Sequence, residues 1–379
     1  MTPTTIPNPD LVTDGPLTAW NQSARRRRGF QAPYKMFRYA ESYRSPAVLV
    51  LRRDLDWRIG ALERVRRLTA LPFFCGMAVV QGDRLMWEQY ARDYGPDGAH
   101  TMMSITKTTL NLMVGRLVED GELDLSRAVG SYLPEIGTGY ATATLQQVLD
   151  MDVVNDFTED YAVLDSTSYL QEAAMGWRLP AAGAKEQTSR EFVTTIRSAN
   201  IANPAGVVHY KSANTDVAAW IVERVAGRPL RQLLIGIAEA AGFEGTFHMG
   251  TDRAGVPQLN GSGCLTARDL ARYGQLFARG GVGVNGVAVG GKAFIEATRS
   301  GRGTRYEAPR TGIRYANHMA TGGAWVGHGG YGGQYLLVNV ETGVSVAFFS
   351  VLEDVDAADG DYSVETIRMA EEIASLAWT

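Results

Sequence analysis

The sequence predicts an α+β fold. An antiparallel sheet is built from both ends of the chain and flanked by helices, and a mainly helical domain is inserted between those ends. Two observations support this prediction. Apolar, strand-like runs separated by turn residues lie at 74–91 and 334–350, towards opposite ends of the 379-residue chain. Apolar residues at helical spacing dominate the part between them.

The strand signals form two hairpins. Phe74–Val80 and Arg84–Ala91 are joined through a Gly-Asp turn, and Gln334–Val340 and Val344–Ser350 are joined through Glu-Thr-Gly. The second hairpin is almost entirely apolar. We therefore expect its strands to lie at the centre of the sheet, where both faces are covered.

The helical signals are amphipathic stretches whose apolar residues recur every three or four positions. The most regular stretch is followed by Gly121, which suits the left-handed conformation that stops a helix. We expect helices over Thr106–Glu119, Leu145–Asp150, Thr215–Val225, Ala267–Arg279 and Val364–Trp378.

The same signals suggest a domain organisation. We expect an irregular leader over 1–30, an α/β domain formed by 31–103 together with 260–379, and a mainly helical domain over 104–259. The active site would lie in the cleft between the two domains. The four-arginine run Arg25–Arg28 is not followed by a hydrophobic stretch. It predicts a solvated leader or a subunit contact in preference to a targeting signal.

The composition excludes several classes of protein. An apolar fraction of 45% and a charged fraction of 21% are typical of a globular chain. No apolar run reaches the roughly 18–20 residues of a membrane helix, and a net charge of −4 gives no reason to expect a nucleic-acid partner. Cys75 and Cys264 lack neighbouring ligands at metal-binding spacing, so we expect two buried thiols and no metal. We expect a cytoplasmic protein.

Ser104 and Lys107 form a Ser-x-x-Lys pattern at the start of the most regular helix. Side chains three residues apart on a helix point the same way, and a helix N-terminus favours the negative charge of an oxyanion. Only five of the 37 Lys and Arg residues are lysines. Lysine, unlike arginine, can lose its proton when buried and act as a base. The pattern therefore predicts a serine nucleophile with a lysine base.

Tyr210 and Ser212 lie just before another expected helix, where both side chains can enter one cleft. A tyrosine near a lysine ammonium can pass a proton if its pKa falls below the usual value of about 10. The alternative is a core phenol beside a helix cap. The five histidines offer no better base, because the chain has no Gly-x-Ser-x-Gly motif to seat a Ser-His-Asp triad.

The third segment, Trp325-Val-Gly-His-Gly-Gly-Tyr331, is rich in glycine and precedes an expected strand. Together the three segments resemble the motifs of the serine β-lactamase, penicillin-binding protein and esterase superfamily. Within it, the chain is most similar to the 6-aminohexanoate-dimer hydrolases and their carboxylesterase relatives. The similarity is strongest over 145–151, 176–178, 210–227 and 266–272.

This resemblance implies a role for each residue of the three motifs. Ser104 would be the acylated nucleophile and Lys107 its base. Tyr210 would relay protons to the leaving group, and Ser212 would bridge Lys107 and Tyr210. The backbone N–H groups of Ser104 and Tyr331 would form the oxyanion hole.

The resemblance also implies a set of substrate-binding residues. Tyr161 matches a phenol that closes over the amide, and Trp177 and Asn260 match residues that line the cleft. Glu172 stands where the relatives have an aspartate that meets the substrate's amino group, so its longer side chain changes the reach. His328 begins the Lys/His-x-Gly motif and either contacts the substrate or only shapes the strand.

We therefore expect a serine hydrolase that cleaves a carboxylic amide or ester through an acyl-enzyme. The expected type is a 6-aminohexanoate-oligomer amide hydrolase with esterase activity. The alternatives are a carboxylesterase or β-lactamase of the same fold, and a non-catalytic acyl-binding sensor module. The expected partner is a small-molecule amide or ester, without cofactor, metal, nucleic acid or membrane, and a homodimer is left open.

Overall fold

A computed structural model describes residues 26–35, 37–160, 163, 166–352 and 360–376. The helices are α1 (Arg26–Gln31), α2 (Trp57–Ala61), α3 (Glu63–Thr69), α4 (Thr109–Glu119), α5 (Val129–Tyr132), α6 (Leu145–Leu149), α7 (Thr167–Ala174), α8 (Ser189–Val193), α9 (Ser212–Ala226), α10 (Leu230–Ala241), α11 (Ala267–Ala278), α12 (Lys292–Arg299) and α13 (Gly360–Ala374). Two short 3-10 helices cover Pro33–Lys35 and Met103–Thr108.

The strands are β1 (Ala40–Tyr43), β2 (Arg52–Arg53), β3 (Phe74–Gln81), β4 (Arg84–Tyr90), β5 (His100–Thr101), β6 (Phe247–Gly250), β7 (Gly263–Leu265), β8 (Thr304–Arg305), β9 (Arg314–Ala316), β10 (Met319–Thr321), β11 (Trp325–Gly330), β12 (Gln334–Asn339) and β13 (Val344–Ser350). They form a nine-stranded sheet in the order β2-β4-β3-β13-β12-β11-β10-β9-β8 and a four-stranded sheet in the order β1-β6-β7-β5.

The nine-stranded sheet confirms the α+β prediction, because its strands come from both ends of the chain. Both expected hairpins form, and β12 and β13 lie in the middle of the sheet as predicted. Within the described ranges, neighbouring strands pair antiparallel except for the two-residue contact of β2 with β4, which is parallel.

Helices cover both faces of this sheet. Along β3, Ala78 and Val80 belong to the hydrophobic cluster that includes α4, α9 and α11, whereas Met77 and Val79 belong to the cluster on the other face, with α3 and α13. Successive side chains of a strand point to opposite faces, so a strand buried on both sides is apolar throughout. This burial explains why the central strands show no polar alternation.

The four-stranded sheet holds the backbone that leads into the helical turn with Ser104. Strand β5 runs directly into the 3-10 helix Met103–Thr108, and the Met102 N–H donates to the Gly263 carbonyl of β7 at 2.7 Å. Strand β6 lies inside 104–259, which was expected to be mainly helical, and it pairs with β1 near the start of the described chain. The proposed domain boundaries stay a prediction.

The expectation of an irregular leader over 1–30 is wrong for its last residues. Helix α1 covers Arg26–Gln31, and Phe30 is fully buried with its ring 6.4 Å from that of Tyr331. Packing of the Phe30 ring against Tyr331 accounts for the helix at these residues. Residues 1–25, including Arg25, lie outside the described residues.

The structure also bears on the two cysteines and on membrane-spanning helices. Cys75 and Cys264 are both buried free thiols, as predicted. Among the helices that the structure describes, none is long and apolar enough to cross a bilayer.

Candidate active site

Ser104 and Lys107 lie on the 3-10 helix Met103–Thr108, which leads directly into α4. The first turn is therefore earlier and tighter than the helix predicted from residue 106. In a 3-10 helix, side chains at i and i+3 eclipse one another. This geometry places the Lys107 Nζ 3.1 Å from the Ser104 Oγ. Met103, just before the serine, has a φ of +46°, a strained value for a residue with a side chain.

The Lys107 side chain is completely buried. Its Nζ donates to the Ser104 Oγ at 3.1 Å, to the Ser212 Oγ at 3.0 Å and to the Asn260 carbonyl. Burial lowers the pKa of Lys107 to about 8, and the negative charges of Glu159 and Asp216 oppose part of that shift. Lys107 is therefore substantially an uncharged amine, the form that accepts a proton, at mildly alkaline pH.

Tyr210 lies beside this pair as a neutral phenol. The Lys107 Nζ is 5.2 Å from the centre of its ring. Burial raises the pKa of Tyr210 well above 10, the charge of Glu159 raises it further, and the neighbouring Ser104 lowers it only in part. A lowered pKa was expected for a proton relay through Tyr210, but burial raises it, which favours the neutral phenol at rest.

Ser212, the first residue of α9, was expected to bridge Lys107 and Tyr210. It bridges Lys107 to Glu159 instead, because its hydroxyl donates to a Glu159 carboxylate oxygen at 2.8 Å. Glu159 also accepts the Ser212 backbone N–H at 2.6 Å. This N–H belongs to the first turn of the helix, where no intrahelical acceptor exists. Glu159 thus caps α9 with one carboxylate oxygen and orients the Ser212 hydroxyl with the other.

Asp216 lies one helical turn beyond Ser212 and connects to Lys107 through Asn260. The Asn260 backbone carbonyl accepts from Lys107, and the Asn260 Nδ2 donates to Asp216 at 2.9 Å. Gln171 donates to the other carboxylate oxygen at 2.6 Å. Burial raises the pKa of Asp216 to about 7, against the lowering effects of Gln171 and Lys107. A second carboxylate is therefore coupled to the lysine.

Strand β11 approaches Ser104 closely at its last residue, Gly330. A Cβ on Gly330 would lie 2.6 Å from the Met102 carbonyl oxygen, so only glycine allows this contact. The approach brings Tyr331 close to Ser104, and both residues line the same two pockets. The Ser104 N–H lies in the first turn of its helix, where it lacks an intrahelical acceptor. Two backbone N–H groups are thus near the place where an oxyanion would form.

A narrow pocket of 40 Å³ opens on one side of Ser104, and we call it the Glu172 pocket; it is lined by Ser104, Glu172, Met175, Trp177, Asn260 and Tyr331, among others. Glu172 is buried, not solvated, and Arg178 holds its carboxylate at 2.8 Å. Burial raises the pKa of Glu172 to about 7, although Arg178 acts to lower it. The Trp177 Nε1 donates to the Ser262 Oγ at 2.8 Å, which fixes the indole as a wall.

A larger cavity of 330 Å³ also opens at Ser104, and we call it the tyrosine cavity. It is lined by Ser104, Tyr210, Tyr306, Arg310, His328 and Tyr335, among others. Its walls come from β11, β12, the turn between β8 and β9, and the start of α13. Ser104 and Tyr331 are shared with the Glu172 pocket. Ser104 therefore lies where the two spaces meet.

His328 is a neutral wall of the tyrosine cavity. Its Nε2 is 3.0 Å from the Tyr315 hydroxyl, and its Nδ1 contacts the Gly329 carbonyl. Burial lowers the pKa of His328 to about 3, and the charge of Lys107 adds to the effect. With its pKa this low, His328 is a neutral imidazole at neutral pH and adds no positive charge to the cavity.

Comparison of the chain with known proteins identifies a family. Residues 74–365 match the family model described as beta-lactamase. The 6-aminohexanoate-dimer hydrolase of Paenarthrobacter ureafaciens is 32% identical over 292 residues, which are 75% of this chain and 72% of that protein.

The chain belongs to the beta-lactamase family.

Solved structures share the fold. A Bacillus anthracis protein described as a candidate 6-aminohexanoate-dimer hydrolase superposes with a TM-score of 0.81 at 20% identity and covers 98% of both chains. A D-stereospecific amidohydrolase from Streptomyces has a TM-score of 0.56 at 18% identity, over 82% of this chain and 98% of that one. The family match and the curated relative show that the chain is a serine hydrolase of amides or esters.

The structure brings most of the expected site residues of this beta-lactamase family member to one place. Lys107, Tyr210, Ser212 and Tyr331 lie close to Ser104. A further three line the pocket beside it, namely Glu172, Trp177 and Asn260. His328 lines the tyrosine cavity. Tyr161 lies outside the described residues.

Four charged residues of the site were missed by the sequence argument: Glu159, Arg178, Asp216 and Arg310. The spacing of four between Ser212 and Asp216 on an expected helix was a usable signal for one of them. The other three lie in loops, where no periodic pattern marks them. Among the described residues, no cluster of His, Cys, Asp or Glu could hold a metal ion.

Proposed function

We propose that this chain hydrolyses short linear amides of the 6-aminohexanoate-oligomer type, and short esters, through an acyl-enzyme formed on Ser104. The observation that carries the proposal is the buried Lys107 Nζ, 3.1 Å from the Ser104 Oγ. An amine with a pKa of about 8 is well matched to take a serine proton near neutral pH. The substrate class is supported by the named activity of the Paenarthrobacter relative.

Acylation begins when the uncharged Lys107 amine takes the Ser104 hydroxyl proton and the Oγ bonds to the substrate carbonyl carbon. The carbonyl oxygen becomes an oxyanion and accepts from the backbone N–H groups of Ser104 and Tyr331. Ser212, held by Glu159, keeps the lysine aimed at the nucleophile.

The second step delivers a proton to the leaving group. Tyr210 gives its phenolic proton to the leaving nitrogen as the C–N bond breaks, and the Lys107 ammonium returns a proton to Tyr210. This role suits a phenol that is neutral at rest. Water then loses a proton along the same route in reverse and releases the acid from Ser104. Tyr161 assists the amide nitrogen, as the family resemblance implies.

The acyl half of the substrate occupies the Glu172 pocket in this proposal, against Trp177 and Asn260. Glu172 is already paired with Arg178 at 2.8 Å, so a substrate ammonium has to compete with that guanidinium. We therefore expect weaker selection for an amino group than an unpaired carboxylate would provide.

An esterase activity is the second candidate, because an ester needs less help for its leaving group than an amide does. A β-lactamase activity is less well supported. His328 carries no charge at working pH, so the strand motif supplies no cation for the carboxylate of a bicyclic β-lactam. The cytoplasmic location and the homodimer stay predictions, which cell fractionation and light scattering test.

The deciding experiment is active-site labelling. The wild type, incubated with a slow phosphonate ester, should carry one adduct, found by peptide mass spectrometry on Ser104. Ser104→Ala should lower amide and ester hydrolysis by about 10³-fold or more while unfolding at the same temperature, since no other hydroxyl replaces the nucleophile. The exposed Ser300→Ala is the matched control. An adduct on Ser212, or full turnover by Ser104→Ala, would overturn the assignment.

A further inference from the structure

Arg310 is a half-buried cation that lines the tyrosine cavity. Its guanidinium lies over the Tyr306 ring, 4.2 Å from the ring centre. Within the described residues, no carboxylate forms an ion pair with Arg310 and its side chain finds no hydrogen-bond acceptor. The other partly buried arginine near the site, Arg178, is by contrast paired with Glu172. The five side-chain N–H donors of Arg310 therefore have no acceptor in the part of the chain that the structure describes.

The turn that carries Arg310 is built to hold it in place. The Tyr306 N–H donates to the Ile313 carbonyl at 3.0 Å, and the Arg310 N–H donates to the Glu307 carbonyl at 3.0 Å. The turn is also seated on the first residue of α13, where a Cβ on Gly360 would lie 2.8 Å from the Pro309 ring. The backbone under the guanidinium is thus closed by hydrogen bonds and packed against a helix.

The positive charge of Arg310 acts on the catalytic end of the same cavity. It lowers the pKa of Tyr210 and adds to the lowering of the pKa of His328, so its field reaches both residues. A planar guanidinium recognises a carboxylate through two parallel hydrogen bonds, and a partly desolvated one does so more strongly than an exposed one. The cavity therefore offers an anion site at a fixed place relative to Ser104.

The orientation of the substrate follows from Tyr210. This residue lines the tyrosine cavity but not the Glu172 pocket. If Tyr210 protonates the leaving atom, the leaving group must extend into the tyrosine cavity, towards Arg310. This step rests on the function proposed above.

We propose that Arg310 is the subsite for a carboxylate at the far end of the leaving group, so that the preferred substrates are linear amides that release an amino acid. The surrounding tyrosines pack against the aliphatic part of that leaving group. Arg310 determines specificity and takes no part in bond cleavage.

The first test measures binding and needs no turnover. In the Ser104→Ala background, calorimetry compares N-butyryl-6-aminohexanoate with its carboxamide. The carboxylate should bind about 10-fold to 100-fold more tightly, the worth of a charged hydrogen-bonded pair. Adding Arg310→Gln should remove the difference, and adding Arg310→Lys should keep part of it. The exposed Arg302→Gln, which does not line the cavity, is the matched control.

The second test measures the ratio of kcat/KM for the same two compounds in enzymes with an intact Ser104. The ratio should fall by about 10-fold to 100-fold in Arg310→Gln. Equal binding of the two ligands with Arg310 present, or a preference that survives Arg310→Gln, overturns the subsite. A failure of the proposed function shows itself differently, as labelling away from Ser104, and the binding comparison still decides the role of Arg310.

Discussion

The Glu172 pocket and the tyrosine cavity meet at Ser104 and treat charge differently. In the first, the carboxylate of Glu172 is buried and held by Arg178 at 2.8 Å. In the second, Arg310 packs on a tyrosine ring and has no acidic partner among the described residues. A charge that is paired within the fold contributes to structure, because separating the pair leaves an uncompensated buried ion. An unpaired charge beside a cavity is available to a ligand.

The largest expected effect concerns Lys107, because it contacts Ser104, which lines both pockets. Lys107→Arg keeps a positive charge but cannot accept the serine proton at working pH. We expect activity to fall by about 10³-fold on amides and esters alike, as far as in Lys107→Ala. Steady-state kinetics with an aminohexanoate dimer and p-nitrophenyl butyrate measures this. If Lys107→Arg keeps more than about a tenth of the activity, the lysine supplies only electrostatic support.

The next effect concerns the paired side of the comparison. Arg178→Gln leaves Glu172 buried without its partner and should lower the free energy of unfolding by about 3 kcal/mol at pH 8. The loss should be smaller at pH 5. The pKa of Glu172 is already raised to about 7, so its carboxyl is protonated in the folded state below that pH and needs no cation.

Thermal and urea unfolding at the two pH values measure the effect of Arg178→Gln. The double variant Glu172→Gln/Arg178→Gln should recover most of the lost stability at pH 8, because no buried charge is left. A loss that is the same at pH 5 and pH 8 would show that Arg178 stabilises through packing over Tyr169 and not through the pair.

The third effect distinguishes the leaving groups that the tyrosine cavity is proposed to hold. Tyr161→Phe removes only the hydroxyl that the family resemblance implies for assisting the amide nitrogen. We expect amide hydrolysis to fall by about 10-fold to 1000-fold, whereas p-nitrophenyl butyrate, whose leaving group departs unaided, should change little. Parallel rates on both substrates test this. Equal losses would mean that Tyr161 only shapes the cleft.

The smallest effect is a shift in pH dependence. The acid limb of kcat/KM should follow the pKa of Lys107, about 8, because only the uncharged amine accepts the serine proton. The negative charge of Asp216 raises that pKa, so Asp216→Asn should move the limb to lower pH. Rates between pH 6 and 10, as a test range, measure the shift. A limb that stays in place or moves to higher pH would remove Asp216 from the electrostatics of the lysine.

Local patterns in the sequence were sufficient for much of the fold. The two hairpins and the helix before Gly121 form where strand and helix spacing predicts them. The pairing of Ser104 with Lys107 follows from a separation of three residues, which any helical turn brings together. The first turn is a 3-10 helix, and no periodic pattern distinguishes it from an α-helix at this length.

Other features of the site depended on segments that are far apart in the chain. Glu159 replaces Tyr210 as the partner of Ser212 because a loop places its carboxylate at the start of α9. Glu172 and Arg178 are only six residues apart, but Arg178 lies beyond the end of α7, so no helical spacing relates the two. Contacts across loops leave no periodic signal, so the sequence could suggest these residue types but not their partners.

The sequence by itself determined the antiparallel sheet from both ends of the chain, the Ser-x-x-Lys pair and the family resemblance, because each rests on residue order or on near-neighbour spacing. Only the tertiary structure decided the protonation states. Lys107 has a pKa of about 8 and His328 one of about 3 because several distant segments bury each side chain together. The same burial keeps Tyr210 a neutral phenol. Desolvation is a property of the assembled interior, and no segment of the chain carries it alone.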